Sequence, residues 1–334
     1  MNEGGYYAAK RILITGGLGF IGSNLAAALV ELGSTVTLVD SLIPEYGGNL
    51  FNIEEIRDRL TVNVSDVRDP FALRYLVQGR DVLFNLAGQT SHLDSMMDPH
   101  TDLAINAGAQ LSILEACRQA NPEIKIVFAS TRQIYGRPDY LPVDEGHPIR
   151  PVDVNGINKV AGEWYHLLYN EVYGIRACAL RLTNTYGPRM RVKDARQTFL
   201  GIWIRRLLEG RRIQVFGDGL QLRDFNHVED CVQALLLAGS SEAANGKVYN
   251  LGSREVVALK DLAEMLVGLE PGSAFETVAF PPERKAIDIG DYYSDFTRIQ
   301  AELGWEPRVA LRDGLEGTLD FYRRHRAHYW GDSP

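Results

Sequence analysis

The run Ile12-Leu13-Ile14-Thr15-Gly16-Gly17-Leu18-Gly19-Phe20-Ile21-Gly22 leaves few folds open to this chain. An apolar, strand-like stretch ends at Gly16, and an apolar helical pattern begins near Phe20 and continues to Leu32. Gly16, Gly19 and Gly22 therefore fall where a strand hands over to a helix. A backbone without Cβ atoms can turn tightly there and approach a pyrophosphate, whose charge the N–H groups and positive end of the new helix stabilise. A glycine triplet alone would also fit an ordinary turn. The next segment, Thr35-Val36-Thr37-Leu38-Val39-Asp40, reads as a second strand that ends in an acid. A carboxylate about 20 residues past such a loop can accept hydrogen bonds from ribose hydroxyls and repels a 2′-phosphate. The pair predicts a dinucleotide site, with NAD favoured over NADP.

Strand and helix patterns then alternate. Strands are expected at Leu60 to Val64, Asp81 to Ala87, Lys125 to Ser130 and Ile175 to Leu182. Helices are expected at Asn52 to Arg59, Pro70 to Val77, Asp102 to Ala120 and Asn155 to Tyr173. This alternation predicts an α/β fold of the Rossmann type, a doubly wound parallel sheet covered by helices on both faces. Ligands of such sheets sit at the carboxyl ends of the strands, so the loops after Leu86, Ser130 and Leu182 should converge on one cleft. Beyond Pro188 the pattern changes. Helices are expected at Arg196 to Glu209, Val228 to Ala238, Leu259 to Leu269, Phe296 to Leu303 and Leu311 to His325, with short strands at Ile213 to Phe216 and Val248 to Leu251. The division expected is a dinucleotide-binding domain over 1–188 and a smaller α/β substrate lobe over 189–334, with chain crossing between them.

Composition narrows the partners. Of the 334 residues, 45% are hydrophobic and 23% charged, as in ordinary globular proteins, and the net charge is −8. That balance argues against nucleic acid or an anionic membrane as the main partner, while a local arginine cluster could still hold an anionic ligand. No run reaches membrane-spanning length, and Met1 to Ala9 has no apolar signal core. Cys117, Cys178 and Cys231 are far apart and show no metal-ligand spacing or disulfide framework, which fits buried thiols in a reducing cytoplasm. No metal site is expected.

Further motifs occur in order along the chain: Asp66-Val67, Asn85-Leu86-Ala87-Gly88, Ser130-Thr131 before Ile134-Tyr135-Gly136, Lys159, Arg181 to Pro188, and Arg223-Asp224-Phe225. With the glycine loop and Asp40, they make the chain resemble the extended short-chain dehydrogenases/reductases of the nucleotide-sugar epimerase/dehydratase family over roughly Arg11 to Tyr322. The resemblance implies an enzyme that holds NAD, oxidises a sugar carbon transiently and returns the hydride. It implies that Asp66 meets the adenine amino group, that the Val67 backbone meets a ring nitrogen, and that Leu86, Ala87 and Gly88 pass under the cofactor together with Phe20 and Ile21 of the loop. Thr131 would bond the reacting sugar hydroxyl. Lys159 would bind the nicotinamide ribose, although a lysine on a helix is more often simply solvated. Gln89, Asn184, Arg223 and Arg284 would meet the substrate, the arginines through its diphosphate.

Two departures stand out. The family pattern is Tyr-x-x-x-Lys, and Asn155 holds the tyrosine position four residues before Lys159, on the same helix face. An amide donates and accepts hydrogen bonds but cannot act as a base near neutrality. Tyr165 and His166 lie too far along the helix to replace it. The run Ser91-His92-Leu93-Asp94-Ser95 resembles the Ser-His-Val-Asp of sugar-nucleotide dehydratases, so His92 is a candidate base, with Asp94 and Tyr135 behind it; a lone loop histidine is as readily a polar surface residue. Second, Thr131 is followed by Arg132-Gln133, without the acid pair that 4,6-dehydratases use to eliminate water or the glutamate usual in related decarboxylases. Arg132 either directs positive charge at an anionic sugar or forms a structural salt bridge with Asp139, Asp144 or Glu145.

The reading is an NAD-dependent nucleotide-sugar epimerase with an atypical proton-transfer group. The alternatives are an NAD- and sugar-nucleotide-binding protein of the same fold with impaired catalysis, or a related dehydratase or decarboxylase. The two long helices resemble those that pair family subunits as a four-helix bundle. Leu111, Ile113, Leu114, Val160, Trp164, Leu167 and Leu168 would line a homodimer interface, unless the monomer core takes them.

Overall fold

The computed structural model describes residues 3–194 and 198–330. In chain order its first half holds α1 (Glu3–Tyr7), β1 (Arg11–Thr15), α2 (Phe20–Glu31), β2 (Thr35–Asp40), a 3-10 helix at Leu50–Arg59, β3 (Thr61–Val64), α3 (Pro70–Leu76), β4 (Val82–Asn85), α4 (His92–Met97), α5 (Pro99–Leu103), α6 (Ala109–Ala120), β5 (Lys125–Thr131), α7 (Val154–Tyr173) and β6 (Arg176–Leu182). The second half holds β7 (Asn184–Tyr186), α8 (Phe199–Leu208), β8 (Ile213–Phe216), β9 (Leu222–His227), α9 (Val228–Ser240), β10 (Val248–Asn250), β11 (Val256–Ala258), α10 (Leu259–Leu269), β12 (Phe275–Val278), α11 (Pro282–Ala286), α12 (Thr297–Leu303) and α13 (Leu311–Tyr329). Arg196 and Gln197, which open the helix expected before Glu209, lie outside the described residues.

Among the described residues the main sheet runs β10-β6-β5-β4-β1-β2-β3, with every pairing parallel. Helices cover both faces, which is why β1 and β4 read as continuous apolar runs rather than alternating ones. The pleat still divides them: Ile12 and Ile14 join the core on one face with α2 and α9, and Leu13 joins the core on the other with α3 and α6. Strand order reverses at β1, which pairs with β2 on one side and β4 on the other. The glycine loop and the segment after β4 flank this switch point, where open α/β sheets bind ligands.

Three features differ from the sequence reading. Val248–Asn250 does not sit in the smaller lobe; it pairs with β6 as the edge strand of the main sheet. The smaller lobe is instead built on β11-β9-β7 and on β12-β8. The helix expected over Asp102 to Ala120 is not uniform, because α5 and α6 are joined by a π-helical turn at Ala104–Gly108. That turn lets both Asn106 and Gln110 face the interior. Asn106 Nδ2 donates to the Gln89 carbonyl at 2.9 Å and to Asp102 Oδ2 at 3.0 Å, and Gln110 accepts from Asn85 at 2.6 Å. Finally, His92 to Ser95 lie not in a loop but in the first turns of α4, with the Ser91 hydroxyl capping the Asp94 N–H at 3.1 Å.

Candidate active site

A cleft of about 460 Å³ opens at the carboxyl ends of the strands. Its floor is the glycine loop. Gly16 has φ of +69°, and a Cβ there would lie 3.0 Å from the Ala87 nitrogen; at Gly22 a Cβ would lie 2.3 Å from the Gly16 carbonyl oxygen. The chain thus needs glycine at both positions to bring β1, α2 and the Leu86-Ala87 segment this close. α2 starts at Phe20 with no side-chain cap on its first amides and no acid in its first turn. The N–H groups of Phe20 and Ile21 are left for an anion, as a pyrophosphate requires.

Asp40 ends β2 at the cleft wall. Its Oδ2 accepts from Leu18 N–H and its Oδ1 from Leu42 N–H, both at 3.0 Å. Burial raises its carboxyl pKa, and the two N–H bonds oppose that shift. These bonds fix the side chain while each oxygen keeps a further acceptor site. Asp66 and Val67 line the same end. Asp66 is already paired with Arg68, Nη2 to Oδ2 at 2.5 Å, and that hydrogen bond holds its pKa below the usual carboxylate value. Gly88 completes the floor, where a Cβ would lie 2.9 Å from Asn106 Oδ1 and 3.0 Å from Lys159 Nζ.

Further along the cleft stand Gln89, His92, Thr131, Asn155 and Lys159, brought together from three separate stretches of chain. Lys159 is buried under Gly88 and donates to the Ala129 carbonyl at 3.1 Å. Burial pushes its pKa down to about 8, with Asp102 opposing. Asn155 is buried too. Its Nδ2 donates to the Gln89 carbonyl at 2.8 Å and to Asp102 Oδ2 at 3.0 Å. Asp102 Oδ1 accepts from Asn158 Nδ2 at 2.8 Å. Asn155, Asn158 and Asn106 therefore share one buried carboxylate, and the amide at the tyrosine position is tied into a buried polar network, in which Asn106 Oδ1 is left without a partner. Asp102, Asn106 and Asn158 stand behind the cleft lining and were missed by sequence reasoning, because nothing local marks the inner faces of α5, the π-helical turn and α7 as polar.

Asp153 was missed as well. It caps α7 through Gly156 N–H at 2.6 Å and accepts from Gln133 Nε2 at 2.8 Å. Its Oδ2 lies 2.9 Å from His92 Nδ1, within ion-pair distance although not aligned as a hydrogen bond. Burial works to raise the Asp153 carboxyl pKa, and His92, Gly156 and Gln133 together bring it below the usual value. An acid at an N-cap position three residues ahead of Gly156 was a visible signal; its pairing with a residue on α4 was not. The other proposed bases do not fit. Tyr135 donates to Asn250 Oδ1 at 2.6 Å and accepts from Arg181, away from the cleft lining. Asp94 lies in the first turn of α4 and is not among the lining residues. His166 is locked between the Gly162 carbonyl and Asn85, stacks on Phe128, and is driven by burial to a pKa of about 4.

The opposite end of the cleft carries the cations. Arg132 Nη2 donates to Asn184 Oδ1 at 2.9 Å, and Asn184 Nδ2 donates to the Asp224 carbonyl at 2.9 Å. The salt bridge considered for Arg132 does not form: Asp139 pairs with Arg150, Asp144 accepts from Tyr140, and Glu145 accepts from Asn250 N–H. Arg223 is buried, donates to the carbonyls of Leu222 and Gly290, and lies 3.7 Å from Asp288 Oδ1. Arg284 rises from α11 over the Phe216 ring at 5.8 Å. Phe199, Trp203, Phe216 and Phe280 add an aromatic wall that sequence reasoning did not foresee, because β8, β12 and α8 converge only through tertiary packing.

This arrangement can hold a dinucleotide at one end, a second anionic ligand at the other, and a proton-transfer group between them. Comparison with known proteins gives the family. Residues 12–252 match the model of the NAD dependent epimerase/dehydratase family. UDP-glucose 4-epimerase of Mycolicibacterium smegmatis is 32% identical over 314 residues, covering 94% of this chain and 98% of that one. dTDP-glucose 4,6-dehydratase of an Actinoplanes species is 31% identical over 331 residues, covering 96% and 99%. The solved structure of a Streptomyces venezuelae dTDP-glucose 4,6-dehydratase with NAD bound superposes with a TM-score of 0.86 at 26% identity, covering 95% and 98% of the two chains. The chain belongs to the NAD dependent epimerase/dehydratase family.

Proposed function

We propose that this protein is an NAD-dependent nucleotide-sugar epimerase in which His92, backed by Asp153, moves the proton that a tyrosine moves in its relatives. The observation that carries this reading is the 2.9 Å approach of His92 Nδ1 to the buried Asp153 carboxylate, at a cleft whose Asn155 amide is committed elsewhere. NAD, when bound, supplies the hydride acceptor and, later, the donor. The amides of Phe20 and Ile21 would hold its diphosphate, and Asp40 and Lys159 its ribose hydroxyls. Thr131 orients the reacting sugar hydroxyl. His92 takes the hydroxyl proton on Nε2, and Asp153 stabilises the imidazolium formed. The keto-sugar turns over, and His92 returns the same proton as the carbonyl is reduced on its other face. Arg223 and Arg284 hold the nucleoside diphosphate throughout.

The second reading, binding without turnover, draws on the same Asn155 network, which leaves no base at that position. Incubating the protein with NAD and a panel of UDP-, dTDP-, CDP- and GDP-sugars separates the two. An epimer is expected from one sugar, with kcat falling about 100-fold or more in His92→Gln while NAD remains bound. Absence of product from every sugar overturns the first reading, and an unchanged kcat in His92→Gln overturns the role of His92.

A homodimer through α6 and α7 is part of the same proposal. Trp164 and Leu168 of α7 and Leu111 of α6 are exposed, whereas Ile113 and Leu114 belong to the monomer core. Sedimentation of Trp164→Glu should show a monomer if this face pairs two copies. Among the described residues no helix is long and apolar enough to cross a membrane, and Cys117, Cys178 and Cys231 are buried free thiols; a cytoplasmic setting fits both.

A further inference from the structure

Arg132 is a cleft cation with an unused buried donor. It follows Thr131 directly at the end of β5, and its guanidinium lies over the Tyr292 ring, 5.1 Å from the centroid. Nη2 is spent on Asn184. Nη1 is buried and has no hydrogen-bond partner among the described residues. No carboxylate of the described residues lies within ion-pair distance of Arg132, and the acids near it in space are engaged elsewhere. Asp224 accepts from the Thr183 hydroxyl and Ser294 N–H, Asp153 faces His92 and Gln133, and Asp288 accepts from Gln221 at 2.7 Å. A second guanidinium, that of Arg223, adds repulsion: burial and then Arg132 push the Arg223 pKa down to about 10. Two guanidiniums withdrawn from water side by side, one with an idle buried N–H pair, cost stability unless a ligand anion completes them.

The position of Arg132 selects the anion. Its partner Asn184 bonds the carbonyl of Asp224, the residue after Arg223 on β9, while Arg132 itself follows Thr131 at the end of β5. It therefore stands between the phosphate end and the reacting end, one residue from the hydroxyl that orients the sugar. An arginine fork with one open edge matches a carboxylate in its plane. We propose that Arg132 receives a carboxylate carried by the sugar ring, so that the substrate is a nucleoside-diphosphate hexuronic acid rather than a neutral hexose. This rests on the nucleotide-sugar reading above, and goes beyond it by fixing the class of sugar.

The test begins by finding which of UDP, dTDP, GDP and CDP binds the NAD-loaded protein most tightly by calorimetry. The neutral hexose and the hexuronic acid of that nucleotide are then compared, in the native chain and in Arg132→Gln and Arg132→Lys. The native chain should bind the hexuronic acid about tenfold or more tightly than the hexose, as a charge-assisted bidentate contact gives. Arg132→Gln should bring the two affinities within about threefold of each other, and Arg132→Lys, which keeps the charge and loses the fork, should retain part of the preference. Equal affinities in the native chain overturn the proposal. So does an Arg132→Gln chain that weakens the bare nucleoside diphosphate as much as the hexuronic acid, which would make Arg132 a diphosphate ligand. If none of the four nucleotides binds, the nucleotide-sugar reading fails, and this one fails with it.

Discussion

At the β1 end of the cleft the binding surface is backbone: two glycines pressed against carbonyls and amides, open helix N–H groups, and one carboxylate pinned by two more N–H groups. At the β5 end it is side chains, drawn from α4, the α5–α6 turn, β5 and α7, that hold one another through Asp102 and Asp153. The backbone end tolerates almost no change, since its geometry is set by contacts that any Cβ would break. The side-chain end can be rewired, since moving one donor or acceptor only shifts which neighbour carries the proton. That difference would let a chain keep its cofactor cradle and change its base, as proposed for His92.

The contrast predicts unequal mutational effects. Gly22→Ala should be the most damaging, because its Cβ would sit 2.3 Å from a backbone oxygen that cannot move aside. Titration with NAD should show at least about a 100-fold loss of affinity, or a chain that no longer folds; a small change would mean the loop is looser than described. Asn155→Tyr should come next. It removes the Nδ2 shared by Gln89 and Asp102 and leaves that buried carboxylate short of a donor, at a cost of about 1–3 kcal/mol. Thermal unfolding should show it as a lower Tm with no gain in kcat, and a faster enzyme would mean that the tyrosine route is still available.

The smallest effect concerns Lys159, where the two ends meet under Gly88. Burial holds its pKa at about 8, below the ordinary lysine value of about 10.4. Below pH 8 both folded and unfolded chains carry this proton, and the folded chain bears the full cost of the buried charge. Between pH 8 and about 10.4 the unfolded chain binds more protons than the folded one, so stability from this group rises with pH. Denaturant unfolding of the NAD-free protein should show that rise, and Lys159→Met should flatten it. Activity should move the other way, falling above pH 8 as the ammonium is lost.

Legibility in the sequence follows the same division. The β1 end was readable because its signals are local: glycine spacing, the apolar runs of a doubly covered sheet, and an acid closing β2. The absence of the tyrosine at Asn155 was equally local. His92, the base proposed in its place, was also suggested by a local motif; its pairing with Asp153 was not, because they come from α4 and the N-cap of α7, and their approach depends on how those helices pack. β10 was misplaced for a related reason, since three residues at a sheet edge carry no pattern that names their partner strand. Arg132 was left between two readings because sequence proximity to Asp139, Asp144 and Glu145 says nothing of their own partners, and in the fold all three are taken.

The account turns on Asp153 acting through His92 rather than only as a helix cap. Asp153→Asn separates these roles, since asparagine caps helices about as well as aspartate and should leave Tm nearly unchanged. The decisive measurement is the pH profile of kcat/KM, with the substrate found above, for the native chain and Asp153→Asn. The account predicts a fall in kcat/KM of about tenfold or more across the profile, because the imidazolium formed on His92 has lost the carboxylate that stabilises it. A profile unchanged in height would contradict it.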